Sequence, residues 1–352
     1  MTVPDLTELL QSELDSFVDE QHVRLGDLGP ELVPFLDAAR AFVTGGKRLR
    51  PLFCYWGWRA AGGDADDPGV VHAAASLEWL QASALVHDDV MDGSDVRRGR
   101  PSVHRAFEGR HRDANWVGEA SQFGVGAAIL LGELMLSWCD EMFASSDLER
   151  TRILAAARYL DLCKSEVVGG QFLDLVGQST GVNSIEQAMR IVRFKAAKYT
   201  VERPLHIGAT LAGADTALVD ALSTLGVPLG EAFQLRDDVL GVFGDPEVTG
   251  KPAGDDLREG KRTVLLARAF ESADGAQARI LADGIGRPDL DQRRVSQLCE
   301  VIESTGALAA VEEQIATLEQ RVGDALDAAP ILDPEARDGI ARLALRSTQR
   351  RS

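Results

Sequence analysis

The stretch "LVHDDVMDGSDVRRGRPSVHR", residues 85–105, ends an apolar run in the carboxylates Asp88, Asp89 and Asp92. On a helix, Asp88 and Asp92 lie one turn apart on a shared face, with Asp89 rotated by about 100°. Like charges at that spacing destabilise a helix, and apolar surroundings add to the cost, so the cluster calls for a cation. Carboxylates with only His87 beside them suit Mg2+ better than Zn2+. An EF-hand is excluded, because a loop counted from Asp88 has Val90 at a ligand position and Gly99 where the closing Glu belongs. Arg97, Arg98, Arg100 and Arg105 follow at once. Mg2+ is commonly held by one or two carboxylates plus substrate phosphates, and arginines chelate phosphate bidentately. Acids and arginines are therefore expected to address one phosphate ligand rather than each other.

Two further stretches carry compatible chemistry. "TGGKRLRP", residues 44–51, sets Lys47, Arg48 and Arg50 behind a Gly-Gly turn that permits close backbone approach to an anion. The G-x-x-x-x-G-K-[ST] spacing of a Walker A loop is absent, as is a G-x-G-x-x-G. "FQLRDDVLGVFGDPEVTGKPAGDDLREGKRT", residues 233–263, repeats an Asp pair at Asp237 and Asp238. Gly241 stands where a carboxylate one turn on would lie, Gln234 precedes Asp237 by a turn, and Asp245, Lys251, Asp255, Asp256 and Lys261 follow. With Lys195 and Lys198 of "RFKAAKYT", two acidic walls and intervening lysines fit metal-bridged diphosphate binding.

The elements that must position these groups read as helices. Apolar residues recur at three and four through "VVHAAASLEWLQASALVHDDVMD" and the long stretches after it. The expected fold is all-α, roughly ten or more helices in a single domain over 1–352, with loops at 61–69, 93–101, 244–260 and 284–290. A net charge of −18 makes the chain a poor general binder of nucleic acid or anionic membrane. Cys54, Cys139, Cys163 and Cys299 form no C-x-x-C pair, so neither a zinc site nor a disulfide framework is expected. The acidic start is unlike a signal peptide, and no apolar run reads as an integral membrane segment, so a cytoplasmic protein is expected. The histidines and the five tryptophans read as structural.

In content, order and spacing, "GGKRLRP", "DDVMDGSDVRRG" and the 233–263 stretch resemble the trans-isoprenyl diphosphate synthases, most strongly over residues 40–270. The resemblance implies a homodimer with a central cavity in each helical subunit. It implies Mg2+, three ions per site with Mn2+ able to substitute, and two diphosphate substrates, isopentenyl diphosphate and an allylic diphosphate. By that resemblance Asp88, Asp92 and Asp237 hold metal, supported by Asp89 and Asp238. Arg97 binds the allylic diphosphate, and Lys47, Arg50 and Arg98 bind isopentenyl diphosphate. Lys195, Lys251 and Lys261 neutralise the leaving group, and Gln234 lines the second metal site. Gln81 stands where the family often has His, Ala196 where it often has Thr or Ser, and Gly241 leaves its wall to Asp237, Gln234 and water.

In that family the helix entering the first motif lines the cavity, and bulk near its end stops the growing chain. Leu77, Leu80, Ser83 and Ala84 are the candidate chain-length residues here, and the small Ser83 and Ala84 point to a geranylgeranyl product. Farnesyl and longer polyprenyl products are the alternatives. A class I terpene cyclase would carry an Asn/Ser/Glu-type second motif and would not need the Lys47 turn. A non-catalytic subunit of a heteromeric synthase would have lost the acidic pairs that this chain keeps.

Overall fold

Several of the helices start at side-chain caps. Asp67, Ser184, Asp215, Thr263, Asp274 and Asp291 each accept a backbone N–H from the first turn they precede, satisfying donors that a helix start leaves orphaned. The computed structural model describes residues 3–181, 184–244, 254–287 and 289–348. The helices are α1 (Val3–Leu25), α2 (Val33–Val43), α3 (Leu49–Ala60), α4 (Pro68–Met91), α5 (Val103–Asp113), α6 (Ala120–Ala144), α7 (Arg150–Thr180) and α8 (Ile185–Ile191). A π-helix, Val192–Glu202, runs on into α9 (Arg203–Leu211) and is followed by α10 (Thr216–Phe243). Then come α11 (Asp255–Glu259), α12 (Val264–Ser272), α13 (Gly275–Gly284), α14 (Gln292–Ser304), α15 (Ala307–Ala328) and α16 (Pro334–Thr348). The strands among the described residues are the two-residue pair Val96–Arg97 and Arg100–Pro101. The expected all-α class holds.

The chain forms two compact units, Met1–Ala157 with Ile207–Gly213, and Arg158–His206 with Ala214–Ser352. In the first, α4 packs on α1, α3 and α6. It is buried on most sides, which explains an apolar composition without a polar stripe. Phe17 of α1, Trp79 of α4 and Trp138 of α6 form an aromatic cluster with ring centroids 5.1–5.9 Å apart, a spacing suited to edge-to-face contact. That cluster anchors the helix whose last turn carries Asp88. One departure from the sequence reading concerns α6, which is long and apolar enough to cross a membrane, with a mean hydropathy of 1.4. Here it packs on α4 and α5, and 44% of its most apolar stretch is buried in the fold.

In the second unit, α10 is the central element. It packs on the π-helix, α15 and α11, with Leu235, Val239, Leu265, Val311 and Ile315 in its core. Arg236 forks onto Glu312 at 2.5 and 2.7 Å and donates Nε to the Thr348 carbonyl at 3.0 Å, fixing the acidic end of α10 against α15 and α16. The π-helix lies tight against its neighbours. A Cβ at Gly170 of α7 would come 2.5 Å from the Lys195 backbone nitrogen, and one at Gly230 of α10 would collide with the Ala197 backbone. Overpacking costs about 1–3 kcal/mol. Gly230→Ala is therefore expected to lower the melting temperature by several degrees. Gly323→Ala, at an exposed α15 position where a Cβ meets nothing within 4 Å, is expected to raise it slightly. Differential scanning calorimetry of both variants checks the pair.

Candidate active site

The last turns of α4 present Gln81, Ala84, Asp88 and Asp92 on a half-exposed face, while Leu77, Leu80 and Ser83 are buried. Ser83 is only 3% exposed, so of the two small residues it is Ala84 that shares the face of Asp88. Asp92 ends the helix, its N–H donating to the Asp88 carbonyl at 2.8 Å. Asp89 is 0% exposed. Arg97 donates to its Oδ1 through Nε at 2.9 Å and also through Nη2, while Oδ2 finds no hydrogen-bond partner. Burial pushes the Asp89 carboxyl above the usual range; Arg97 opposes this and the Asp88 charge adds to it. The expectation that acids and arginines would not pair with each other is corrected here. Arg97 pairs with Asp89 and reaches Asp88 at 3.8 Å, and Arg105 pairs with Asp95 at 2.7 Å. A carboxylate buried this deeply needs a cation of its own.

The arginines sit where they do because of a two-residue hairpin. Val96 pairs with Pro101 and Arg97 with Arg100 across Arg98 and Gly99, whose φ values are 54° and 73°. Two consecutive positive φ angles define a type I′ turn, which Gly accepts freely and Arg does not. The Arg98 guanidinium thereby reaches back to the basic turn, where Nη1 donates to the Phe42 carbonyl at 3.2 Å and Nη2 lies 3.4 Å from where a Gly46 Cβ would be. Lys47 is exposed beside it and Arg50 half-buried. Arg98 thus lies against the turn that carries Lys47, while Arg50 follows in the first turn of α3.

In the second unit, Asp237 and Gln234 are half-buried and Asp238 is 6% exposed. Gln234 does not simply line the wall beside Asp237, because its Nε2 donates to Asp238 Oδ1 at 2.8 Å. The gap at Gly241 is filled differently from the sequence expectation. A Cβ there would collide with the carboxylate of Asp256, which α11 brings into that space. Asp256 is the residue the sequence reading failed to assign. The signal was present in an acid five residues ahead of Lys261, to which it lies at 3.5 Å. Burial, with Asp256 and Asp237 nearby, pushes Asp238 up to about 8, against the Gln234 hydrogen bond and the Lys261 charge. Lys195, on the π-helix, donates to Asp174 of α7 at 2.7 Å, and Lys261 also pairs with Glu259 at 2.6 Å. Lys251 lies outside the described residues.

Among the described residues, no three His, Cys, Asp or Glu side chains gather to hold a metal unaided. In the first unit the available donors are the carboxylate oxygens of Asp88 and Asp92, and in the second those of Asp237 and Asp256; each group offers hard oxygen donors of the kind that bind a hard cation sharing its coordination with phosphate.

The model of the polyprenyl synthetase family matches residues 34–302. A geranylfarnesyl diphosphate synthase of Aeropyrum pernix is 32% identical over 298 residues, 84% of this chain and 87% of that protein. A geranylgeranyl diphosphate synthase of Methanosarcina mazei is 33% identical over 308 residues, 85% of each. The solved structure of a geranylgeranyl pyrophosphate synthase from Corynebacterium glutamicum, complexed with isoprenyl diphosphate and magnesium, matches with a TM-score of 0.96, 42% identity and 100% coverage of both chains. An all-α chain with a basic Gly-Gly turn and two acidic helix ends thus falls among the isoprenyl diphosphate synthases by fold. It belongs to the polyprenyl synthetase family.

Three residues after Lys195 a partly buried polar chain begins at Lys198. Glu166 of α7 accepts from Lys198 at 2.9 Å and from Arg203 at 2.7 and 2.8 Å. Arg203 also donates to His206 Nδ1 at 3.1 Å, so Nε2 carries the proton toward Ser223 Oγ at 3.0 Å. Burial, then the Arg203 charge, pushes the His206 imidazole down to about 3. The unfolded chain protonates this ring below about pH 6.5 and the folded chain only near 3, so stability is lost as pH falls through that window. The loss approaches about 1.4 kcal/mol per pH unit. His206→Gln keeps an acceptor for Arg203 and a donor for Ser223 but cannot titrate. Urea titrations at pH 7 and pH 5 are expected to show a larger loss of stability in the wild type than in this variant.

Proposed function

We propose that the chain is a trans-prenyltransferase that condenses isopentenyl diphosphate with an allylic diphosphate by 1'-4 elongation, giving geranylgeranyl diphosphate. The observation that carries this reading is the approach of Arg98 to the basic turn that holds Lys47 and leads into Arg50, in the same unit as the acidic face of Asp88 and Asp92. A cation cluster separate from the carboxylates suits a second diphosphate, which a terpene cyclase does not need.

Asp88 and Asp92 would hold Mg2+ on the allylic diphosphate, with Asp237 serving from the second motif and Asp256 supporting it. Magnesium, when bound, supplies the Lewis acidity that makes diphosphate a competent leaving group. Arg97 anchors Asp89 and lies 3.8 Å from Asp88, where it can meet an allylic phosphate oxygen. Lys195 and Lys261, with Lys251, oppose the negative charge that grows on the departing diphosphate. Gln81, on the Asp88 face, can donate an amide hydrogen to phosphate but adds no charge. Lys47, Arg50 and Arg98 hold isopentenyl diphosphate so that its double bond attacks C1 of the allylic cation. The released diphosphate takes the proton lost in the last step, so no side-chain nucleophile is required. Apolar surroundings exclude the water that would quench the cation.

The chain acts as one catalytic domain over 1–352 in the cytoplasm, with no nucleic-acid partner. It works as a homodimer, for which the exposed Val117, Phe123, Ile129 and Leu130 on and before α6 supply apolar surface. A longer or shorter product is the alternative, since relatives at 31 to 33% identity carry geranylfarnesyl, geranylgeranyl and farnesyl names.

Consumption of labelled isopentenyl diphosphate by the purified chain is expected to require Mg2+ and to stop with EDTA. Asp88→Asn and Asp237→Asn are each expected to lower kcat by about a hundredfold or more while leaving the melting temperature near that of the wild type. Turnover that persists in EDTA would sink the metal assignment.

Ala84→Phe, on the Asp88 face, is expected to shift the product from twenty carbons to fifteen on chromatography. Ser83→Phe, at a closed position, is expected to cost stability instead. An unchanged product from a folded Ala84→Phe protein removes this face as the floor.

A further inference from the structure

No diphosphate role falls to Arg48, although it adjoins Lys47 in the basic turn. Its side chain is buried with the residue 2% exposed, and its backbone takes φ 53° and ψ 33°, a left-handed conformation that a residue with a Cβ rarely adopts. Such a conformation persists only where surrounding contacts over-determine it. Those contacts are present. Arg48 Nη1 donates to Glu78 Oε2 of α4 at 2.5 Å, and Nη2 donates to Gln11 Oε1 of α1 at 2.5 Å and to the Val43 carbonyl. Gln11 Oε1 also accepts from the Gly45 N–H at 3.1 Å, so one amide oxygen ties both ends of the turn.

A buried ion pair of this kind adds little net stability compared with two apolar side chains of the same volume. Its consequence is geometric. With Arg48 drawn inward, its neighbour Lys47 is left exposed, and Arg50 falls in the first turn of α3. Arg98 rests on the same turn through Phe42 and Gly46, and the Glu78 charge also acts on it. Glu78 precedes Asp88 by ten residues on one uninterrupted helix, a separation of about 15 Å along the axis.

We propose that the buried Arg48–Glu78 pair is the positioning device of the isopentenyl diphosphate site. It locks the Gly45–Arg48 turn to α4, so that the Lys47, Arg50 and Arg98 cations stand at a set distance from the Asp88 carboxylate. Arg48 and Glu78 touch no substrate; they act through the residues that do. The inference rests on the functional reading above.

The test is the double variant Arg48→Met/Glu78→Leu, which replaces the pair with apolar side chains of similar size. Its melting temperature is expected to stay within a few degrees of the wild type. KM for isopentenyl diphosphate is expected to rise about tenfold or more, while KM for the allylic diphosphate stays within about twofold. A folded double variant with an unchanged isopentenyl KM, or with both KM values raised equally, overturns the proposal. If the double variant does not fold, Arg48→Lys, which keeps the charge but lacks the fork that reaches Glu78, Gln11 and Val43 together, is read by the same split. Wild-type chain that consumes no isopentenyl diphosphate would count against the functional reading instead. The pair is then tested by calorimetry of inorganic diphosphate with the metal-free full chain. An affinity about tenfold weaker in the variant supports the positioning role, and equal affinities overturn it.

Discussion

Burial gives the two members of each Asp-Asp pair different surroundings. Consecutive residues on a helix point about 100° apart, so one carboxylate of a pair can stay half-exposed while the next turns into the protein. Asp88 and Asp237 are the half-exposed members; Asp89 and Asp238 are buried. Both buried carboxyls are pushed upward by desolvation, and each is held by its own donor, Arg97 in one unit and Gln234 in the other. The buried member holds its donor at the helix end, and the outward member keeps part of its surface exposed. Much else in the structure follows from this division. The hairpin brings Arg97 back to Asp89, and Asp256 of α11 and Lys261 just after that helix lie within electrostatic reach of Asp238.

The basic side of the site obeys the same logic. Two residues with side chains, Arg48 and Arg98, sit at positive φ where Gly would be unstrained. One turns inward to a buried carboxylate and the other folds over the neighbouring turn. At Arg48 the backbone strain is offset by buried contacts with Gln11, Glu78 and Val43.

Much of this was legible in the sequence, and the part that was not has a common cause. Helical periodicity revealed the all-α class because period 3.6 is a local property. The three motifs revealed the chemistry because residue type and spacing are local as well. What escaped was long-range. Nothing local says that Asp256 fills the space beside Gly241, that Glu78 accepts from Arg48 thirty residues away, or that Asp174 pairs with Lys195. The pairing of Arg97 with Asp89 spans only eight residues, yet it depends on a type I′ turn with Arg in a position that usually asks for Gly or Asn. Ser83 and Ala84 looked equivalent as small neighbours, and packing alone separates them. No apolar run in the sequence read as a membrane segment, yet α6 has the length and composition of one.

The division of labour within the pairs has a direct measurement. Calorimetry with a non-ionising allylic thiolodiphosphate reports the metal-dependent affinity without turnover. Binding in the wild type is expected to need Mg2+, and to be lost in Asp88→Asn and Asp237→Asn proteins that remain folded. Equal affinity with Mg2+ and with EDTA, or full affinity in either variant, would contradict the account.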